Sequence, residues 1–395
     1  MKKKLLFVIE SLTAAGAEKS LVTFLSVINK ERFEIDLQLF AYGGEFERYL
    51  PEEINLLAPL AYTEFLQKRI LNQLFSFDFR KLLARIKYSL SIRQKGLLHK
   101  DRARLYWKYV TKCIPKSRKK YDIAVAYAQD LPTLYVVDKV FAYQKFAWVN
   151  VKYIPEGINH QFYGEYYSQI DNIVAVSESA FQEFVGVYPQ FREKMTVIKD
   201  MLDSDLINTL SLCPQENKYQ DGYPALLTIA RLNRTQKGYD ITLEACRILK
   251  ERNVRFKWYA LGRGEYRAEM EAFVTKHHLE DYFIFLGVTP NPYPYIKNCT
   301  LYVQTSRHEG YGLSIAEARI LNKPVVTTEF DAVWNQMVHG NNGLVVRQDP
   351  IAVADAIERL LTDKQLYDHI VDYQMQEKKG NTEEIQKFYQ LIGDR

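Results

Sequence analysis

Cysteine is scarce in this chain, and long apolar runs and metal-type spacings are missing from it. Cys113, Cys213, Cys246 and Cys299 are the four cysteines, and they stand far apart. That excludes a disulfide framework or a zinc-knuckle spacing and points to a reducing cytoplasm. The seven histidines show no HxxxH spacing, so no structural or catalytic metal is implied. No apolar run approaches the ~20 residues a helix needs to cross a bilayer. The opening MKKKLLFVIE imitates a secretory leader, but its apolar run Leu5 to Ile9 is too short and Glu10 ends it. Repeats and low-complexity tracts are also missing.

What is present is ordinary globular material in quantity. The 395 residues suggest two or three domains. A hydrophobic share of 47% with 26% charge suits a soluble protein with a sizeable core. The net charge is only +5. Yet between Lys68 and Lys120 the only acids are Asp78 and Asp101, amid many Lys and Arg. A basic block on a nearly balanced chain suggests a negatively charged partner surface.

Apolar periodicity reads as two consecutive βα series. Lys4 to Ile9, a helix from about Ala17 to Ile28 and Glu34 to Tyr42 form an opening βαβ unit. Strand patterns recur at Asp122 to Tyr127, Lys145 to Asn150, Ile173 to Val176 and Thr196 to Ile198. Asp200 to Tyr223 loses apolar density and contains Pro214, Asn217 and Gly222, as a domain linker would. The second series holds strands at Ala225 to Ala230, Arg255 to Gly262, Phe283 to Gly287, Leu301 to Val303, Val325 to Thr328 and Gly343 to Val346. Helices from Gly238 to about Arg252 and near Tyr266 to His278 separate the first three strands, and one from Pro350 to about Leu361 completes the series. The expectation is an α/β chain of two doubly wound, Rossmann-like domains, 1–203 and 220–375, facing a central cleft. A C-terminal helix at about 382–395, with Ile385, Phe388, Tyr389 and Ile392 as its stripe, is expected to pack back on the first domain.

The richest stretch is Leu301 to Thr328, LYVQTSRHEGYGLSIAEARILNKPVVTT. A strand runs into a loop carrying Glu309, Gly310, Tyr311 and Gly312, then a helix carrying Glu317, then the next strand. A glycine loop at a helix N-terminus presents backbone N–H groups and a positive dipole end to an anion. The two carboxylates cannot bind that anion, but they can accept hydrogen bonds from hydroxyls beside it. An anion flanked by hydroxyls describes a sugar nucleotide. Arg231 and Lys237 follow another strand and precede a helix, and they suit a diphosphate.

Taken in order, these segments resemble the retaining glycosyltransferases of family 4, which have the GT-B fold. The resemblance rests on Arg231…Lys237-Gly238, Leu261-Gly262-Arg263-Gly264, Phe285-Leu286-Gly287, and Glu309 with Glu317 in E-x7-E spacing. Asn341-Asn342-Gly343-Leu344-Val345 and Ala14-Ala15-Gly16-Ala17-Glu18 also resemble family segments. It implies that Glu317 would accept from ribose hydroxyls and Glu309 would hold a hydroxyl of the transferred sugar. The N–H groups of Tyr311, Gly312 and Leu313 would hold sugar oxygens and the distal phosphate. Arg231 and Lys237 would neutralise the leaving diphosphate. Val288 would lie at the base, Gly262 would permit close approach there, and Gly16 would approach the donor phosphate or the acceptor. In the family a His commonly follows a Trp-Val pair near the donor sugar. Here Trp148-Val149 is followed by Asn150, which can hydrogen-bond a hydroxyl but cannot carry a proton charge.

The resemblance therefore implies transfer of a hexose or N-acetylhexosamine from a nucleotide-diphosphate sugar to a glycan or lipid-linked acceptor. UDP is preferred by its frequency in the family, no metal is required, and the setting is surface polysaccharide or glycolipid assembly. Two alternatives stand beside it: a nucleotide-sugar epimerase on the same fold, and a non-catalytic sugar-nucleotide or glycan-binding module. Asp203-Ser204-Asp205 has a metal–diphosphate spacing but reads better as a helix cap. His160 reads as a solvated loop histidine. In the basic segment 68–120, Phe75, Phe79, Leu82, Leu83, Ile86 and Leu90 share one helical face. That face either packs inward or lies on an anionic membrane, which would make a cytoplasmic enzyme peripheral to the inner face. No nucleic-acid module accompanies the charge.

Overall fold

The computed structural model describes residues 2–13, 16–67, 78–93, 101–150, 159–214, 219 and 222–393. They form two compact units, Met1–Lys199 with Ile385–Arg395, and Asp200–Glu384. Among these residues no helix is long and apolar enough to cross a membrane.

The first unit is built on a seven-stranded parallel sheet. Its strands are β1 (Lys3–Ile9), β2 (Phe33–Leu39), β3 (Asn55–Leu56), β4 (Lys120–Ala126), β5 (Phe141–Val149), β6 (Asn172–Ala175) and β7 (Met195–Val197). They lie in the order β3-β2-β1-β4-β5-β6-β7. Leu5 to Ile9 are buried without a break. Such a run belongs in a parallel strand covered on both faces. One face carries Leu6, Val8, Ala124, Ala126, Ala147 and Val149. The other is aromatic, and the returning helix Ile385–Leu391 supplies its centre. The Phe388 ring sits 5.0 Å from Phe24, 6.1 Å from Trp148, 6.3 Å from Phe146 and 6.5 Å from Phe7.

The second unit has six parallel strands: β8 (Ala225–Ile229), β9 (Lys257–Leu261), β10 (Phe283–Gly287), β11 (Leu301–Gln304), β12 (Val325–Thr328) and β13 (Gly343–Val346). Their order is β10-β9-β8-β11-β12-β13. Successive side chains divide between the two faces. Leu226, Val303, Val326 and Leu344 meet the helices Tyr239–Glu251 and Pro350–Thr362. Leu227, Tyr302, Val325 and Val345 meet the helices Tyr293–Asn298 and Leu313–Ile320. Helix starts are chemically marked. Asp349 accepts from Ala352 N at 2.9 Å, with Pro350 in the first turn, where no donor is needed.

Several local readings change. A helix, Ser204–Ser211, lies where the sequence suggested a linker, and it belongs to the second unit. Asp203 caps it, accepting from Asp205 N and Leu206 N at 3.0 Å each. That cap is the one the sequence suggested, and Ile207 is the helix's buried apolar anchor. The short edge strand β3 and the helix Lys364–Gln376 also escape the apolar pattern. In the basic segment, a helix runs Phe79–Arg93, and Phe75 lies outside the described residues. Its apolar face does not pack inward. Phe79, Leu83, Ile86 and Leu90 are 72%, 51%, 47% and 58% exposed, while Ala84 and Ser91 face the protein and Leu82 is half-buried against the core. The segment's two acids are spent on neighbours, Asp78 on Lys81 and Asp101 on Arg104.

Phe388 is fully buried among four rings, so Phe388→Ala should destabilise the first unit by about 3–5 kcal/mol. Urea denaturation followed by tryptophan fluorescence measures this, since Trp148 reports on that core.

Candidate functional site

Strands β8 and β11 are neighbours, but their chain connections leave toward opposite edges of the sheet. Loops beyond the carboxyl ends of two such strands part and leave a crevice. Residues 230–238 follow β8, and residues 305–312 follow β11.

The two loops are knitted together by backbone groups. Arg307 N donates to Gln236 O at 2.8 Å. Thr305 Oγ1 lies 3.0 Å from Gly238 O and 2.6 Å from Thr242 Oγ1. The Arg307 guanidinium donates twice to Asp240, at 2.8 Å each. Burial pushes the Asp240 carboxyl up, but Arg307 and nearby backbone N–H groups more than offset this and hold it below its ordinary value. Gly238 makes the approach possible. It has φ +63°, and a Cβ there would lie 2.0 Å from Thr305 O.

That approach delivers Lys237 to Glu309. Lys237 Nζ lies 2.7 Å from Glu309 Oε1 and 2.6 Å from Oε2. The side chains are 14% and 9% exposed. Glu309 Oε1 also accepts from Gln304 Nε2 and Ser306 Oγ, at 2.6 Å each. Gln304 is fixed in turn by Tyr302, whose hydroxyl donates to Gln304 Oε1 at 2.6 Å. Thr328 Oγ1 donates to Ser306 O at 2.6 Å and ties the loop to β12.

Beyond Glu309, Gly312 takes φ +84° and the helix Leu313–Ile320 begins with no side-chain cap. Its first N–H groups are therefore available to an anion. Gln336 Nε2 holds the turn in place, donating to Tyr311 O at 2.5 Å and Gly312 O at 3.2 Å. One turn into the helix, Glu317 is 1% exposed, with the Tyr293 hydroxyl 3.5 Å from its Oε1. Burial pushes the Tyr311 hydroxyl above its ordinary value.

The remaining sequence-selected residues are placed as follows. Arg231 is exposed, donating to Gln236 Oε1 at 3.2 Å. Gly262 and Gly264 serve loop packing: a Cβ would meet Ala230 O at 1.9 Å and Leu232 O at 2.1 Å. Val288 follows β10 at the same sheet edge and is 36% exposed. Arg231, Lys237, Gly262, Val288, Glu309, Tyr311, Gly312, Leu313 and Glu317 thus all belong to the second unit. Gly16 and Asn150 belong to the first. Gly16 opens the helix Gly16–Val27, and Ala14 and Ala15 lie outside the described residues. Asn150 donates its Nδ2 to Tyr127 O at 2.5 Å. His160 starts the helix His160–Ser168, its ring centroid 6.0 Å from that of Tyr188. Among the described residues no group of three or more His, Cys, Asp or Glu could hold a metal ion. Gln304, Ser306 and Gln336 were not singled out from the sequence. Polar residues interrupting an apolar strand at Gln304 to Ser306 were the available signal.

Residues 213–377 match the family model for glycosyl transferases group 1. The capsular polysaccharide biosynthesis glycosyltransferase CapM of Staphylococcus aureus is 24% identical over 216 residues, 50% of this chain and 54% of that protein. The lipopolysaccharide core biosynthesis mannosyltransferase LpcC of Rhizobium leguminosarum bv. viciae is 33% identical over 141 residues, 34% of this chain and 40% of that protein. The chain thus spans about half or less of the length of these curated relatives. HepE of Anabaena, solved in complex with UDP-glucose, superposes with a TM-score of 0.72 at 18% identity, and all of each chain is covered. That likeness shows the fold class, GT-B, with two parallel Rossmann-like sheets and their helices.

Gly238→Ala should cost about 1–3 kcal/mol, from a left-handed backbone and a blocked contact with Thr305. Chemical denaturation measures the loss, and Gly262→Ala should show a comparable one.

Proposed function

We propose that this chain is a retaining glycosyltransferase of family 4 that moves a hexose or N-acetylhexosamine from a nucleotide-diphosphate sugar. The observation that carries the reading is one constellation: Lys237 paired to Glu309 beside the uncapped start of the helix that bears buried Glu317. A cation and free N–H groups suit a diphosphate, and carboxylates suit the hydroxyls on either side of it. The family match over residues 213–377 covers the same constellation.

In this reading Glu317 accepts from the ribose hydroxyls and Glu309 from a sugar hydroxyl. Lys237 and Arg231 face the diphosphate, where negative charge grows as the bond from the anomeric carbon to the phosphate oxygen breaks. The acceptor oxygen forms its bond to that carbon on the same face, and its proton passes to the departing phosphate oxygen. The positive field of two cations and a helix end leaves no step that needs a metal. UDP is the proposed carrier, supported by the UDP-glucose held by HepE. The first unit is proposed to receive the acceptor, a glycan or lipid-linked sugar, as the polysaccharide and lipopolysaccharide relatives suggest.

The exposed stripe Phe79, Leu83, Ile86 and Leu90 supports a second element of the proposal, docking on an anionic membrane. Exposed Arg80, Lys87 and Arg93 lie on the same helix, and the segment's acids are already paired.

Lys237→Ala and Glu317→Ala should each lower transfer from a UDP-sugar by about 100-fold or more with circular dichroism unchanged. Full activity in either variant removes that residue's role. Product anomers read by NMR test retention, and epimerised sugar or binding without turnover would favour the epimerase or binding-module alternatives. Phe79→Ser with Leu83→Ser should weaken co-sedimentation with phosphatidylglycerol vesicles and leave transfer to a soluble acceptor unaltered. Undiminished sedimentation would remove the membrane element.

A further inference from the structure

We propose that Glu10, Asp130 and Tyr163 bind an uncharged sugar through its hydroxyls and so make the first unit select a neutral acceptor over an anionic one. The inference rests on the reading of the first unit as the acceptor's, and it names the chemistry that unit takes.

The three residues gather where β1 and β4 part. These strands are hydrogen-bonded neighbours, but β1 connects to β2 on one side and β4 to β5 on the other. In an open parallel sheet such a point leaves a crevice beyond the carboxyl ends of the strands. Glu10 directly follows β1 and reaches solvent. Asp130 follows β4 and precedes the helix Leu131–Lys139. Its side chain does not cap that helix, and its backbone takes φ +64° and ψ −122°. Glycine holds such angles at least cost. Neither capping nor the turn therefore accounts for a carboxylate at this position.

Tyr163 supplies an independent sign of a missing ligand. It lies on the helix His160–Ser168 and is 2% exposed. Burial pushes the Asp130 carboxyl up, the facing Tyr163 hydroxyl opposes this, and the charge of Asp101 adds to it. Yet the Tyr163 hydroxyl reaches no hydrogen-bond partner among the described residues. Asp101 is buried too, with Oδ2 accepting from Arg104 Nε at 2.6 Å and Oδ1 left without a partner. Buried polar atoms left unmatched by the protein are costly, and a ligand that pairs with them removes the cost.

The chemistry of the set favours hydroxyls. Among the described residues no cation offsets Glu10 or Asp130. Desolvation, followed by the charges of Asp130 and Glu18, pushes the Glu10 carboxyl up to about 7. Near neutrality Glu10 can therefore donate as well as accept, as Tyr163 can, while an ionised Asp130 only accepts. Sugar hydroxyls also do both and can satisfy every member. An ammonium group only donates, and it would leave the protons of Glu10 and Tyr163 without an acceptor. A ligand carboxylate or phosphate meets like charge from Asp130 and Asp101.

The test uses Asp130→Gly and Tyr163→Phe. The first relieves a positive φ, and the second removes a hydroxyl without a protein partner, so neither should lower the melting temperature. A lower melting temperature in both would mean that the fold itself uses these groups, and it overturns the inference. Saturation-transfer NMR then measures the affinity of p-nitrophenyl glucoside, galactoside, mannoside, N-acetylglucosaminide, glucuronide and glucosaminide. UDP, GDP, ADP, CDP and dTDP are added in turn, and their own binding is followed by calorimetry. Wild type should bind at least one neutral glycoside, and the glucuronide about tenfold or more weakly than that. Each variant should bind the neutral glycoside about tenfold or more weakly than wild type, with nucleoside diphosphate affinity unchanged. Equal glycoside affinity in the variants, equal affinity for the glucuronide, a tenfold preference for the glucosaminide, or no glycoside binding at all overturns the inference. Absence of nucleotide binding overturns the donor-site reading instead, and the glycoside measurements still decide this one.

Discussion

The contact of Gly238 with Thr305 O is the constraint on which the second unit's chemistry depends. It closes the space between two loops that the strand order would otherwise let drift apart. Any side chain at 238 would push the backbones apart by more than an ångström, and the Lys237–Glu309 pair would open with them. The hydrogen bonds around it, from Arg307 N to Gln236 O and from Arg307 to Asp240, all act to hold the same approach.

The pair itself is costly machinery. Breaking a largely buried ion pair of this kind on one side typically costs about 3–5 kcal/mol, because it leaves the other charge unmatched. Replacing both charges by apolar groups is often harmless to stability. A stable fold alone does not require Lys237 and Glu309. Their low exposure, with buried Gln304 and Ser306 on Glu309 and Tyr302 on Gln304, makes a polar cluster that packing alone does not call for. Glu317 follows the same logic. A carboxylate 1% exposed in a helix that faces the sheet is a poor core residue and a good acceptor for hydroxyls.

The first unit is held by different means. Its aromatic face is completed by Phe388, from a helix more than two hundred residues away in sequence. Asn29 N donates to the Tyr389 hydroxyl at 2.9 Å and fixes the same helix to the turn between the helix Gly16–Val27 and β2. The exposed stripe of Phe79–Arg93 contrasts with that face. The same residue types, at helical spacing, are left in solvent because Leu82, Ala84 and Ser91 already satisfy the side that meets the core.

Most strands were legible because each is a short, nearly continuous apolar run bounded by polar turns, as in Leu5–Ile9 and Val325–Thr328. Glycine positions and the spacing of Glu309 and Glu317 were legible because local backbone geometry and helix periodicity act within a few residues. The start of the helix Ser204–Ser211 was legible in its Asp203 cap, but its extent through a stretch read as linker was not, since Ile207 is its one buried apolar side chain. Which face of Phe79–Arg93 turns inward was undecided by periodicity, because an amphipathic pattern does not say whether its apolar side meets protein or another medium. Residue type and local spacing determined the two α/β series, the loops at the strand ends and the acids and cations they carry. Only the tertiary structure decided that Lys237 meets Glu309 and that Gln304 and Ser306 pin it there. The order of strands in a sheet, which sets those distances, is a property of long-range packing and is not written in any one segment.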